Sequence, residues 1–172
     1  KGGGAWCTTF RNPLDNPDGS HTQGQVSVVC NFTKGAQGQP DLLTYDEYLT
    51  MFHEFGHALQ SLFTKGRYVR TAGNLPGDYV EMPSQINEEW AADSSVIKSF
   101  ARHYQTGAVI PDAILEKLRR ASNFNQGFAS TEYLAASLLD MRWHLLTDKD
   151  NVPDVDAFEK KVFSEIGLIA EI

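Results

Sequence analysis

The chain is poor in cysteine and has no long apolar run. Its 172 residues include two cysteines, Cys7 and Cys30. That is too few for a disulfide framework, and neither has metal-ligand spacing. The two could face each other across paired strands, but free thiols are the simpler expectation. No apolar stretch approaches the length of a membrane span. Basic residues do not cluster, and the net charge is −7, which argues against nucleic acid or an anionic membrane as partner. The start, KGGGAWCTTF, has no apolar core of a signal peptide. It also has no initiator Met, so a processed chain or an excised piece is expected, with a cytoplasmic home. Repeats and low-complexity tracts are absent. An apolar content of 41% is that of a globular chain, long enough to bury one core.

What is present centres on Thr44 to Thr64, TYDEYLTMFHEFGHALQSLFT. Thr44 followed by Glu47 reads as a capping box, which satisfies two otherwise orphaned N–H groups at a helix start. Tyr48, Phe52, Phe55, Leu59 and Leu62 recur at steps of four, three, four and three, an apolar stripe at helical spacing. Lys65-Gly66 supplies a cation and a stop. Within this helix lies His53-Glu54-Phe55-Gly56-His57, a HExxH motif. A period of about 3.6 residues puts the two imidazoles one turn apart on one face, within reach of a single metal ion. Glu54 sits about 100° round the axis, where a carboxylate could take a proton from water. Two neutral His ligands with an adjacent carboxylate is the layout of a zinc peptidase.

Upstream, residues 1–43 read as strand and loop. Ala5 to Phe10 and Gln25 to Phe32 carry β-formers, and the Asn-, Asp-, Gly- and Pro-rich segment 12–24 between them reads as a turn. If the two strands pair, an exposed edge beside a metal cleft could hold a peptide by strand addition; a merely supporting sheet is the plainer alternative. Downstream, residues 44–172 read as helical. Asp78-Tyr79-Val80-Glu81 suggests a second capping box, opening a helix to about Tyr104. Its apolar face would hold Ile86, Trp90, Ile97, Phe100 and Tyr104, with Pro83 in its first turn or kinking it. Further helices are expected from Pro111 to Ser122, Thr131 to Leu146 and Asp154 to Ile166. The fold class expected is mainly α (α+β), a small N-terminal sheet followed by a helical bundle, in a single domain over 1–172.

A catalytic zinc takes three protein ligands and keeps one position open. Glu81, near the head of the second helix, is a candidate third ligand. Glu88 and Glu89 are alternatives, although a solvated helix face suits them better. His21, His103 and His144 are weaker candidates, since a lone His is more often structural or exposed; beside Tyr104, His103 reads as a satisfied core residue.

The pairing of His53-Glu54-Phe55-Gly56-His57 with Asp78-Tyr79-Val80-Glu81-Met82-Pro83-Ser84-Gln85 resembles the thimet oligopeptidase (M3) family of metallopeptidases. Gly3-Gly4-Ala5-Trp6, Asn123-Phe124-Asn125-Gln126-Gly127 and Leu139-Asp140-Met141-Arg142-Trp143-His144 are similar to its peptidyl-dipeptidase branch. The likeness spans essentially the whole chain. It implies a zincin-like site with Zn2+ held by His53, His57 and Glu81, and Glu54 as general base. It implies hydrolysis of short peptides, with release of C-terminal dipeptides by the full-length enzyme. Gln60 stands where the family usually has His, and Gly73-Asn74 where it usually has Gly-Thr. Family members are several times longer, and they carry Tyr and His residues that polarise the substrate carbonyl in a segment not found here. The chain is therefore expected to be a fragment of the catalytic lobe, binding zinc with little activity. The alternative is a non-catalytic zinc-binding lobe that works only when assembled with the missing parts of its own domain. Structural zinc sites close all four positions and favour Cys, so this donor set favours an enzyme lineage.

Overall fold

A computed structural model describes residues 3–147 and 154–169; Gly2 of the leading glycine run lies outside them. These residues are mainly helical, with a small antiparallel sheet near the start, in line with the expected class. The chain divides into two compact units, one to Ile110 and one from Pro111.

In the first unit, β1 (Ala5–Arg11) pairs antiparallel with β4 (Gln25–Cys30), with Cys7 opposite Val28 and Ala5 opposite Cys30. The expected strand pairing is therefore present, and the turn-rich segment between holds a two-residue pair, β2 (Leu14–Asp15) with β3 (His21–Thr22). Cys7 and Cys30 are free. Alternation along antiparallel strands places both thiols on one face. That face meets the first helix, since Thr9, two residues from Cys7, donates from Oγ1 to Ser61 Oγ at 3.2 Å.

The first helix, α1 (Tyr45–Phe63), begins where the capping box predicts. Thr44 Oγ1 accepts from the Glu47 N–H (3.1 Å), and Glu47 Oε2 accepts from the Thr44 N–H (2.9 Å). Glu47 Oε1 also accepts from the Thr33 N–H at 2.7 Å, tying the loop after β4 to the helix start. The Thr33 and Thr44 N–H groups hold the Glu47 carboxyl below its usual range. Its contribution is therefore full at neutral pH and fades as pH falls through that lowered value. Replacing Thr44 by Ala removes the cap oxygen. Urea denaturation of Thr44→Ala is expected to show a loss of about 1 kcal/mol.

The apolar stripe of α1 is only partly buried. Tyr48 is enclosed, but Phe55 is 52% and Leu62 39% exposed; the buried positions are Tyr48, Glu54, Gly56 and Ala58. The reason is the neighbour on that side, α2 (Met82–Ala92), which approaches α1 through small residues. A Cβ on Gly56 would lie 2.6 Å from Ser84 Cα and 2.9 Å from the Pro83 carbonyl oxygen. Asn87 Nδ2 donates to the Phe52 carbonyl at 2.7 Å, and the Tyr48 hydroxyl donates to the Ala91 carbonyl at 3.2 Å. The Tyr48 ring packs edge-on to Phe52 (centroids 5.0 Å) and against Phe100 (5.5 Å). Burial pushes the Tyr48 hydroxyl pKa up, with Tyr45 adding to it.

The second helix differs from the sequence expectation in three ways. Glu81 is its N-cap residue and makes no side-chain cap bond, so Asp78–Glu81 is not a capping box; Pro83 sits in the first turn, where its missing N–H costs nothing. The helix ends at Ala92 rather than near Tyr104. Asp93 turns the chain and accepts from the Ser95 and Val96 N–H groups, starting α3 (Ser94–Phe100). That cap, which side-chain reading over an unbroken apolar pattern missed, restarts the helix and shifts Ile97 into the core. The supposed apolar face is largely open: Ile86, Trp90, Phe100 and Tyr104 are all exposed, and α2 buries Ser84 and Ala91 instead.

The second unit contains α4 (Asp112–Ser122), α5 (Gln126–His144) and α6 (Val155–Glu165). α5 starts five residues earlier than the expected Thr131, from Asn125 in the left-handed region (φ 56°), a conformation Asn tolerates. Trp143 packs at a tilt against Phe158 (centroids 4.2 Å), Val162 is buried, and Arg142 pairs with Glu165 at 3.3 Å. No helix among the described residues is long and apolar enough to cross a membrane.

Candidate metal centre

His53 and His57 project from the middle of α1, one turn apart, with ring centroids 4.9 Å from each other. The chain after α1 loops back so that Glu81, at the mouth of α2, meets them. Glu81 Oε2 lies 3.1 Å from His53 Nε2 and 3.2 Å from His57 Nε2. One ligand atom from each of the three falls within 4.8 Å of the others, and no other group of three or more His, Cys, Asp or Glu among the described residues does so. Zinc–nitrogen bonds of 2.0–2.1 Å with tetrahedral angles separate neighbouring donors by about 3.3 Å. The two distances from Glu81 Oε2, 3.1 and 3.2 Å, are close to that spacing, and the donor set of two imidazoles and one carboxylate suits the ion.

Two polar side chains of α2 hold this group. Ser84, fully buried, donates from Oγ toward the Glu81 carbonyl (2.9 Å) and Glu81 Oε2 (3.0 Å). Glu88 Oε1 lies 2.6 Å from His53 Nδ1, on the ring side away from Nε2. Positions 81, 84 and 88 are one face of a helix, separated by three and four residues. Glu88 is thus neither a solvated residue nor part of the three-residue cluster. The charge pattern of α2 did not reveal this; its seven-residue offset from Glu81 and one-turn alignment with Ser84 were the signal available.

Glu54 is buried, at 7% exposure, and its wall is not simply apolar. It lines a cleft of about 520 Å³ together with His53, His57 and Glu81. β1 lines it too, through Ala5, Trp6, Cys7 and Thr9. Burial raises the pKa of both Cys7 and Cys30, and the Glu54 carboxylate adds to it. Gln60 and Asn74, the two positions expected to depart from the pattern of the resembling family, also line the cleft, as does Gly73. Gly73 holds φ at 81°, and a Cβ there would meet Asn12 Oδ1 at 2.7 Å; Asn12 Nδ2 donates to the neighbouring Ala72 carbonyl at 2.9 Å.

The other candidates lie elsewhere. Glu89 is exposed on α2. His21 pairs with Asp15 at 2.9 Å. His103 is exposed and stacks on Tyr104 (centroids 5.4 Å), so it is not the core residue expected; its Nδ1 accepts from the Gln105 and Thr106 N–H groups in a surface turn. In the second unit, His144 Nδ1 contacts the Asp140 carbonyl at 2.9 Å.

The sequence profile of Peptidase family M3 matches residues 1–169. Dipeptidyl carboxypeptidase of Escherichia coli K12 is 48% identical over 172 residues, covering 99% of this chain and 24% of that protein. Oligopeptidase A of the same organism is 35% identical over 149 residues, 84% of this chain and 22% of its own length. A probable cytosolic oligopeptidase A of Arabidopsis thaliana is 38% identical over 146 residues, 82% and 21% respectively. The chain thus spans about a quarter of the length of the curated relatives it matches.

Proposed function

The chain belongs to peptidase family M3, and from that premise we propose that it carries the zinc site and general base of a metallopeptidase acting on short peptides. The observation that carries the reading is the clustering of ligand atoms of His53, His57 and Glu81 within 4.8 Å of one another, with Glu81 Oε2 3.1 and 3.2 Å from the two Nε2 atoms. Zinc, when bound, supplies Lewis acidity toward water and a peptide carbonyl. The chain's own residues do the rest. His53, His57 and Glu81 would hold the ion, three protein ligands being the number found at catalytic zinc sites. Glu54, next to His53 in sequence and in the same cleft, takes the proton of the attacking water and passes it to the departing amine. β1 lines the same cleft, and the edge of β1 not paired with β4 offers main-chain N–H and C=O groups to an extended peptide. Release of C-terminal dipeptides is the specificity we propose for the whole protein, supported by the name of the E. coli relative at 48% identity.

Metal analysis of the purified chain tests this. One zinc per chain is expected, and Glu81→Ala should weaken its binding by more than the 10–100-fold typical of outer-shell changes. Undiminished binding in Glu81→Ala would move the third ligand elsewhere and sink the assignment. A second reading is favoured by the one-quarter coverage of the relatives: these residues bind zinc, and hydrolysis at full rate requires assembly with further polypeptide. Turnover of a blocked peptide by this chain alone, at the rate of a full-length relative, would rule that out.

A further inference from the structure

The side of His53 away from the proposed ion is where the α2 helix reaches α1 most deliberately. Glu88 Oε1 stands 2.6 Å from His53 Nδ1, a short contact of the kind made to a carboxylate acceptor. The contact is half-buried and spans 35 residues of sequence. It requires the two helix backbones to approach where Gly56 leaves no room for a Cβ against Ser84 and Asn87. A Glu on a solvated helix face needs none of this.

We propose that Glu88 is a positioning residue for the metal centre: its carboxylate accepts a hydrogen bond from His53 Nδ1–H and thereby keeps the Nε2 lone pair aimed at the point shared with His57 and Glu81. The inference rests on the reading of those three residues as metal ligands. An imidazole has two nitrogens and two ring faces, and without a partner its tautomer and its rotation about Cβ–Cγ are both free. Fixing the proton on Nδ1 settles the first, and the direction of the bond settles the second. The carboxylate also raises the basicity of Nε2 toward a cation. Ser84 does the corresponding work on the carboxylate ligand, anchoring Glu81 Oε2 from the same helix face. One short helix therefore contributes a ligand at 81 and two restraints, at 84 and 88, and a rigid shift of α2 would disturb all three together.

The test uses the full chain and Zn2+ in competition with a chelator, with Glu88→Gln, Glu88→Ala and, as a control of equal charge change on the exposed neighbour, Glu89→Ala. Zinc affinity is expected to fall 10–100-fold in Glu88→Ala. It should fall less in Glu88→Gln, which keeps an acceptor oxygen and serves if the Ala variant does not fold, and remain unchanged in Glu89→Ala. Nitrogen-15 NMR of the His53 ring supplies a readout that loss of packing alone would not move. Nδ1 should carry a hydrogen-bonded proton in the parent chain, with or without zinc, and in the zinc-free Glu88→Ala chain that fixed proton should be lost to exchange between the two tautomers. An unprotonated Nδ1 in the parent chain, or equal zinc affinities for the Glu88 and Glu89 variants, overturns the proposal. A parent chain that binds no zinc yet shows the Nδ1 proton would instead remove the metallopeptidase reading and leave the Glu88–His53 bond standing.

Discussion

Glu54→Gln should keep its zinc and lose its peptide turnover. The substitution is nearly isosteric, and Glu54 supplies no ligand atom to the cluster of His53, His57 and Glu81, so metal content is expected to match the parent chain. What disappears is the group able to accept a proton. An amide oxygen is a poor base and an amide N–H₂ a poor acid, so neither the attack of water nor the departure of the amine is assisted. General acid–base groups contribute about 10²–10⁴ in rate, and whatever turnover of a short blocked peptide the chain supports should fall by that factor. Burial of Glu54 gives a second reason for choosing Gln: a smaller residue would open a cavity beside Cys7 and Cys30 and confuse loss of chemistry with loss of structure. Zinc loss in Glu54→Gln would mean that the carboxylate binds the ion. Unchanged turnover would mean that the proton goes elsewhere.

The parts of this site legible in the sequence are those fixed by local periodicity. His53, Glu54 and His57 share one helix, so a spacing of one turn decides their relation before any tertiary contact forms. The Thr44–Glu47 cap is local in the same sense, and it appears as read. Glu81 was reachable through the paired motif, although the capping box assigned to it was not there; Glu81 turns its carboxylate to the imidazoles instead of to its own helix. Glu88 departs from the solvated-face expectation because its partner is 35 residues away, and side-chain pattern along one helix carries no information about which neighbour it will meet. The same blindness explains the apolar faces. Phe55 on α1 and Ile86 and Trp90 on α2 follow helical spacing faithfully but lie open, because the inter-helix seam is built from Gly56, Ser84, Asn87 and Ala91. A seam of small and polar residues has no hydrophobic signature to read.

That seam makes Gly56 the position where the smallest change should do the most structural harm. A methyl group there would be placed 2.6 Å from Ser84 Cα, 2.9 Å from the Pro83 carbonyl oxygen and 2.9 Å from Asn87 Cβ. Two of these three are backbone atoms, so no side-chain rotation can relieve the contact. Helix propensity pulls the other way, since Ala in a helix interior is favoured over Gly by about 1 kcal/mol. Overpacking a tight seam costs about 1–3 kcal/mol, so the net stability change is modest while the displacement is not. The way out open to the protein is for α2 to move off α1, and α2 is what carries Glu81, Ser84 and Glu88 to the imidazoles. Gly56→Ala is therefore expected to weaken zinc binding out of proportion to its effect on stability. Zinc competition and urea denaturation of the metal-free chain, run side by side, separate the two quantities. If Gly56→Ala bound zinc as the parent does, the centre would tolerate a loosened seam, and the close approach of the two helices would serve packing rather than the metal.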